Sequence, residues 1–466
     1  MIPGARWIGI LVAVGVTLGA CQAGLSVVAW APFHPVSADQ PRFLLGCSPR
    51  YALFIWQSDK GFDWQRYLQV SHETGLNYVR HDVCAWHGLT AAAGWPAQFT
   101  NPRWPFARTG PGTARDGKAR FDLTRFDEGC FTDRLRPFLS MAEELDITCE
   151  LTLFDDITGE AHLAESLYGE GNNINALGLS PWPGPNSDAA LADRRLLTIQ
   201  EAYVAKVLEE TRDFGNVIYE VGNETGGARW VEHFVDFIHS SLPGAIVSAG
   251  EQNSAYDPVT GHCDIVVKHR GAGGLYASDE DVARHRDSLV AFGRGGKPVS
   301  HNEFFLFANR STDDPNFVRK MFWADFTGGG HTNFYDFPWW RGTGRTVEEG
   351  QPSQPPPDEI RNGARYLRRF ITQTRLPFWQ MRPMDASARV STGHAFCYAK
   401  PGHAYVIYTL AAEGARLRVT LEAGRYELRW YDPLKGEWLG PAETLEAASQ
   451  VDLRPSRGEV VAYLWR

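Results

Sequence analysis

Two glutamates, Glu224 in NVIYEVGNETGG (residues 216–227) and Glu303 in KPVSHNEFF (297–305), each follow a short apolar run that reads as a β-strand. Polar groups closing such a run sit at the carboxyl end of the strand, where α/β barrels and open α/β sheets place their chemistry. Two carboxyls converging on one mouth can act on a single bond: one protonates a leaving oxygen while the other attacks the carbon it leaves. Hydrolysis of a glycosidic bond uses such a pair. Gly-Asn-Glu after a strand also arises by chance, so the expectation rests on both glutamates recurring in one repeated strand pattern.

That pattern has eight units. Strand-like segments are expected at 41–47, 76–82, 147–154, 216–221, 245–250, 264–269, 297–302 and 331–336, so Glu224 closes the fourth and Glu303 the seventh. Helical periodicity separates them in WQRYLQVSHETG, FTDRLRPFLSMAEEL, DRRLLTIQEAYVAKVLEETRDF, ARWVEHFVDFIHSSL and DEDVARHRDSLVAFG, and recurs after the eighth in RNGARYLRRFITQT. The fold class is α/β, a (β/α)8 TIM barrel over residues 40–375. A doubly wound sheet would call for a glycine-rich phosphate turn, and neither GxGxxG nor GxxxxGK[ST] occurs. Segments 83–120 and 155–190 follow strand ends and are rich in Gly, Pro, Asn and Trp, as loops building a binding surface would be. From residue 376 to 466 the period changes to short alternating strands between Gly, Pro and Asp turns, which predicts a small antiparallel β-sandwich as an independent module.

The chain has 466 residues, 43% hydrophobic and 22% charged, enough for one large core and a smaller second one. Its net charge of −9 comes from interspersed acids and bases, which argues against a nucleic-acid partner. Sixteen Trp and sixteen Tyr are many, and such rings at a pocket mouth stack on sugars. Residues 1–20 read as an export signal: Arg6, an apolar run from Trp7 to Leu18, then small residues, too short for a membrane span. Leu18-Gly19-Ala20-Cys21 is similar to a bacterial lipobox, in which Cys21 becomes the lipidated first residue; plain signal cleavage is the alternative. The membrane partner is then a lipid anchor alone, at the cell envelope, and residues 21–39 form a linker. The remaining cysteines, Cys47, Cys84, Cys130, Cys149, Cys263 and Cys397, show no CxxC or zinc-type spacing, though a Cys47–Cys84 bridge is open to an exported chain.

With Asn223-Glu224, Glu303 and Arg80 (in NYVRHD, ending the second strand) in view, the pattern resembles the retaining glycoside hydrolases of the large (β/α)8 superfamily, clan A, that includes cellulases, mannanases and β-galactosidases. The resemblance covers most of residues 40–345. It implies that Glu224 is the acid/base, Glu303 the nucleophile, Arg80 the support of the nucleophile and Asn223 a contact to the sugar 2-hydroxyl, with no metal or organic cofactor and a carbohydrate as substrate. Many members have a Tyr after strand six and a Trp after strand eight. Here strand six ends Lys268-His269-Arg270 and strand eight runs into Trp339-Trp340, so the tyrosine's role falls to His269 and the platform to Trp339 or Trp340. His87 and Asp155 are further sugar contacts on this reading, and His81 and His301 are hydrogen-bonded scaffold or sugar contacts rather than metal ligands. The tail segment RYELRWYDPLKGEW resembles the β-domain, sometimes labelled collagen-binding, that follows such barrels in bacterial polysaccharide-degrading proteins. The expected activity is a retaining glycosidase on β-linked sugars; the competing expectation is an inactive surface lipoprotein that binds glycan or matrix protein through aromatic loops. The sugar, exo or endo action and the oligomeric state are left open by the sequence.

Overall fold

The computed structural model describes residues 25–28, 31–37, 40–48, 63–84, 89, 103–155, 157, 159–179, 184–250, 256–269, 278–304, 314–335 and 358–466. Eight parallel strands close into a barrel: β1 (Leu45–Ser48), β2 (Tyr78–Asp82), β3 (Thr148–Phe154), β4 (Val217–Gly222), β5 (Ile246–Gly250), β6 (Ile265–Val267), β7 (Val299–Phe304) and β8 (His331–Tyr335), with β8 pairing back onto β1. Each falls inside or within two residues of an expected strand.

The outer ring is built from α1 (Trp64–Thr74), α2 (Arg136–Glu144), α3 (Arg194–Thr211), α4 (Ala228–Ser241), α5 (Asp279–Gly293), α6 (Pro315–Thr327) and α7 (Asp358–Thr374). Local chemistry sets their ends. Asp63, Asp193 and Asp314 accept from first-turn amides of α1, α3 and α6, and Ser278 forms a reciprocal box with Asp281 at α5. Gly75 stops α1 in the left-handed region.

Strand alternation divides the barrel into two environments. On β4, Val217, Tyr219 and Val221 face the helices and join a large apolar cluster with Trp230, Phe234 and Tyr203. The opposite face carries Ile218, which closes the floor of the barrel with Leu44, Tyr78, Ile246 and Ile265, and then Glu220, which starts a polar interior.

Three features differ from the sequence expectations. Residues 21–39, expected as a linker, contain the strands Leu25–Val28 and Ala31–Ser37, which with Gln40–Pro41 make a three-stranded antiparallel sheet. Leu25 belongs to the floor cluster and its amide donates to the Gly215 carbonyl at 2.9 Å, so this segment caps the amino-terminal end of the barrel. Helix α6 had no counterpart in the sequence reading. The tail forms two sheets, one of seven strands that include Gly393–Lys400, Ala404–Ala411, Gly424–Asp432 and Glu459–Trp465, and one of three. It does not stand apart: Phe396, Tyr408, Tyr431, Val461 and Tyr463 share one apolar cluster with Phe322, Trp323 and Phe326 of α6 and Phe370 of α7.

All six described cysteines are buried thiols, with no Cys47–Cys84 bridge. No described helix is long and apolar enough to cross a membrane. Cys21 lies outside the described residues.

Candidate active site

Arg80 organises the mouth of the barrel. Its guanidinium, fully buried on β2, donates from Nη1 to Glu303 Oε2 at 2.5 Å, from Nε to Glu220 Oε2 at 2.7 Å and from Nη2 to Asn223 Oδ1 at 3.0 Å. The fork of donors on a planar cation allows one side chain to hold three acceptors from two strands.

Glu303 reaches that position because β7 is irregular. Ser300 pairs with His331 and His301 with Thr332, but the next pair is Phe304 with Phe334, so Asn302 and Glu303 together oppose Asn333. Such a bulge re-aims a side chain. Asn302 and Glu303, which strict alternation would send to opposite faces, both reach groups inside the barrel: Asn302 donates to Glu150 and Glu220, and Glu303 meets Arg80. His301 faces the other way, toward Asp325 on α6.

Glu224 lies two residues beyond β4, with φ +46°, in the left-handed region. A non-glycine residue there costs about 1–3 kcal/mol and persists where its surroundings fix it. The fixing contacts lie next door. The Asn223 amide N–H donates to the Phe154 carbonyl at 2.8 Å and its Nδ2 donates to Asp155 Oδ1 at 2.8 Å. Asp155 is fully buried behind Asn223 and holds its amide in place.

His269, two residues beyond β6, stands between the two glutamates. Its Nε2 is 3.3 Å from Glu224 Oε1 and 3.5 Å from Glu303 Oε2. The ring is 2% exposed, and neither nitrogen has a hydrogen-bond partner among the described residues. Glu303 is nearly buried and Glu224 retains more solvent access, with side-chain exposures of 5% and 17%. Of the residues singled out in the sequence, the structure therefore brings together Arg80, Asn223, Glu224, His269 and Glu303, with Asp155 behind them. His87, Trp339 and Trp340 lie outside the described residues.

Beneath this layer lies one that sequence reasoning missed. Glu220 on β4 and Glu150 on β3 are both buried and joined by Asn302, whose Nδ2 donates to Glu220 Oε1 at 2.8 Å and to Glu150 Oε2 at 2.9 Å. Thr152 also donates to Glu220, while Ser248 (2.6 Å) and Tyr78 donate to Glu150. Burial pushes Glu220 above the usual carboxylate range, Arg80 pulls it back, and the charge of Glu150 pushes it up again. A lone carboxylate in the middle of each apolar run, ITCELTLF and NVIYEV, was the signal available.

Among the described residues, His285, His301 and Asp325 have metal-type donor atoms within 4.8 Å of one another. Asp325 accepts from His285 Nε2 at 2.7 Å and lies 3.1 Å from His301 Nδ1, hydrogen-bond distances in a fully buried trio. The trio ties β7 to α5 and α6 two residues before Glu303.

A closed parallel barrel with converging carboxylates at its mouth is the architecture of many glycosidases, and the comparisons agree on the fold. A family model described as "Domain of unknown function (DUF6298)" matches residues 66–242, a span that holds Arg80, Asn223 and Glu224 but not Glu303. No curated protein matches the chain. Among solved structures, it is similar to a proposed glycoside hydrolase from Bacteroides vulgatus, at 14% identity and a TM-score of 0.68 over 96% of this chain and 83% of that one. A glycoside hydrolase family 5 protein from the same organism matches at 14% identity and 0.61, over 95% and 93%. A family 5 mannosidase from Rhizomucor miehei, solved with mannosyl-fructose, matches at 14% identity and 0.50, over 77% and 100%. At these identities the likeness is one of fold, and it is shared with glycoside hydrolases.

Proposed function

We propose that this protein is a retaining glycosidase acting on β-linked sugars by double displacement. The observation that carries the reading is the asymmetry of the two carboxylates around one imidazole nitrogen: Arg80 donates to Glu303, while Glu224 meets the same His269 Nε2 and keeps more solvent. A cation in contact favours the ionised form, which suits Glu303 to attack the anomeric carbon. Glu224 in its acid form protonates the departing oxygen, then as carboxylate takes a proton from the water that releases the glycosyl group. Asn223 offers its amide to the 2-hydroxyl, and His269 spans the two carboxylates across the reacting bond.

The test uses a panel of aryl β-glycosides, β-mannosides and β-glucosides included, with the anomeric configuration of the first product read by NMR. Retention is expected, with carboxyl groups roughly 5 to 5.5 Å apart. Glu303→Ala should abolish turnover. Glu224→Ala should spare substrates with good leaving groups, and azide should restore its second step as a β-azide. Net inversion, or β-azide rescue of the Glu303 variant instead, would overturn the assignment.

The reading extends to location and to the tail. We take Cys21 as the lipidated residue of an envelope lipoprotein, on the strength of Leu18-Gly19-Ala20-Cys21. Cys21→Ser should move the protein from the membrane fraction to the soluble exported fraction; unchanged fractionation excludes the anchor. The tail is read as a buttress of the barrel, because much of its aromatic surface is used against α6 and α7.

A further inference from the structure

The Arg80 guanidinium is placed among three carboxylates, all essentially out of water. It contacts Glu303 through Nη1 at 2.5 Å and Glu220 through Nε and Nη2, each at 2.7 Å, and its Nε lies 3.8 Å from Glu150. The exposures of these side chains run from 0 to 5%. One cation cannot neutralise three anions, and in a low-dielectric interior the way it is divided decides how each behaves. The division is uneven. Two of the guanidinium's nitrogens converge on one oxygen of Glu220, and a single nitrogen serves Glu303.

We propose that Glu220 is a positioning residue that tunes the candidate nucleophile: by drawing two of Arg80's nitrogens close to one of its oxygens it leaves Glu303 with part of the cation's charge, and so holds Glu303 more basic than Arg80 alone would. The chemical value of this rests on the glycosidase reading, because a more basic carboxylate is a stronger nucleophile as long as it stays ionised at working pH. The division of charge itself does not depend on that reading. The groups that face Glu220 are Arg80 from β2, Glu150 and Thr152 from β3 and Asn302 from β7, with Tyr78 and Ser248 one contact further through Glu150. Arg80, Thr152 and Asn302 are placed as donors to Glu220, the environment of a carboxylate. Glu303 in turn meets Arg80 and His269.

The experiment titrates Glu303 in the full chain. Protein carrying 13C at glutamate Cδ is followed by NMR from pH 3 to 9, the Glu303 resonance being assigned by its loss in Glu303→Gln. In Glu220→Gln the Glu303 midpoint is expected to move to lower pH by about one unit, because Arg80 then serves one anion fewer. In Glu150→Gln it should move the same way by less, since that carboxylate stands 3.8 Å from Arg80. The acid limb of kcat/KM should follow the same order.

A purely structural role for Glu220 would lower the melting temperature and leave the midpoint in place, and that result overturns the proposal. So does a move to higher pH. If Glu220→Gln does not fold, Glu150→Gln carries the test alone: a downward move supports the division of charge and an unmoved midpoint refutes it. A wild-type protein that turns over no glycoside while its Glu303 midpoint moves as stated would overturn the glycosidase reading and keep the charge division.

Discussion

His301 shows how much one buried side chain can bind a site to the acid tolerance of a whole protein. Burial pushes its imidazole down to about 4, with neighbouring His285 and His269 acting in the same direction and Asp325 against it. Asp325 is pushed up by burial, but the imidazoles of His301 and His285 outweigh that and hold it at about 2. The linkage has one sign for both groups. Below the ordinary histidine value of 6.5 the unfolded chain takes up a proton that folded His301 refuses until about pH 4, so stability falls as pH drops through that window, by on the order of 3 kcal/mol. Asp325 adds a further loss as pH falls from its ordinary 3.8 toward 2. Denaturant midpoints measured from pH 7 to 4 should therefore slope steeply. His301→Asn, which keeps a donor toward Asp325 without a titrating ring, should flatten the slope, and an unchanged slope would refute the account. His301 could be read from the sequence as scaffold. Its partners could not, since His285 and Asp325 come from two helices, and α6 was not foreseen. The same holds at the mouth: Asn223, Glu224 and Glu303 stood out because they close or follow a strand, whereas Arg80, Glu150 and Glu220 sit within strands, Arg80 directly opposite Glu150; Arg80 was reached through the resemblance, and the two acids signal only that something inside must answer them.

At the level of elements, periodicity carried most of the information because the barrel enforces it. Each strand is covered by helices outside and packed within, so its apolar run is bounded sharply by polar ends, and all eight were legible. Helix α6 escaped for the opposite reason. Nearly every residue from Phe317 to Thr327 is buried, so PNFVRKMFWADFT shows no polar face to alternate with its apolar one, and only Asp314 with Pro315 marked its start. The sheet formed from residues 25–41 was hidden by its short strands next to a signal-like segment. The bulge on β7 has no local signature either. It appears only once β8 fixes the register, yet it lets Asn302 and Glu303 both turn inward, one to the lower carboxylates and the other to Arg80.

On the scale of the whole molecule, barrel and tail share one apolar interface that should make them fold as a unit. The Trp323 ring stacks on Tyr408 with centroids 5.7 Å apart and lies 6.0 Å from Tyr431, while Phe326 meets Tyr398 at 5.5 Å. Phe370 of α7 contacts Tyr431, Trp438 and Tyr463 at 5.1, 5.7 and 5.7 Å. Two ion pairs fasten the edges: Arg319 forks onto Glu459 at 2.9 and 2.7 Å, and Arg286 donates to Asp385 at 2.6 Å. Removing residues 376–466 would leave α6 and α7 with aromatic surface facing water, a liability for solubility as well as stability. The truncated chain is therefore expected to aggregate or to lose its cooperative transition. In the full chain, calorimetry should show a single transition, and Trp323→Ala should lower stability by about 3–5 kcal/mol, the range for deleting a large buried aromatic ring. Because Trp323 belongs to the element that also carries Asp325, the same substitution should speed hydrogen exchange in β7 and in the tail strand Ala404–Ala411 together. Two separate transitions, or a Trp323→Ala effect confined to one side of the interface, would show that the tail folds on its own as the strand pattern alone had indicated.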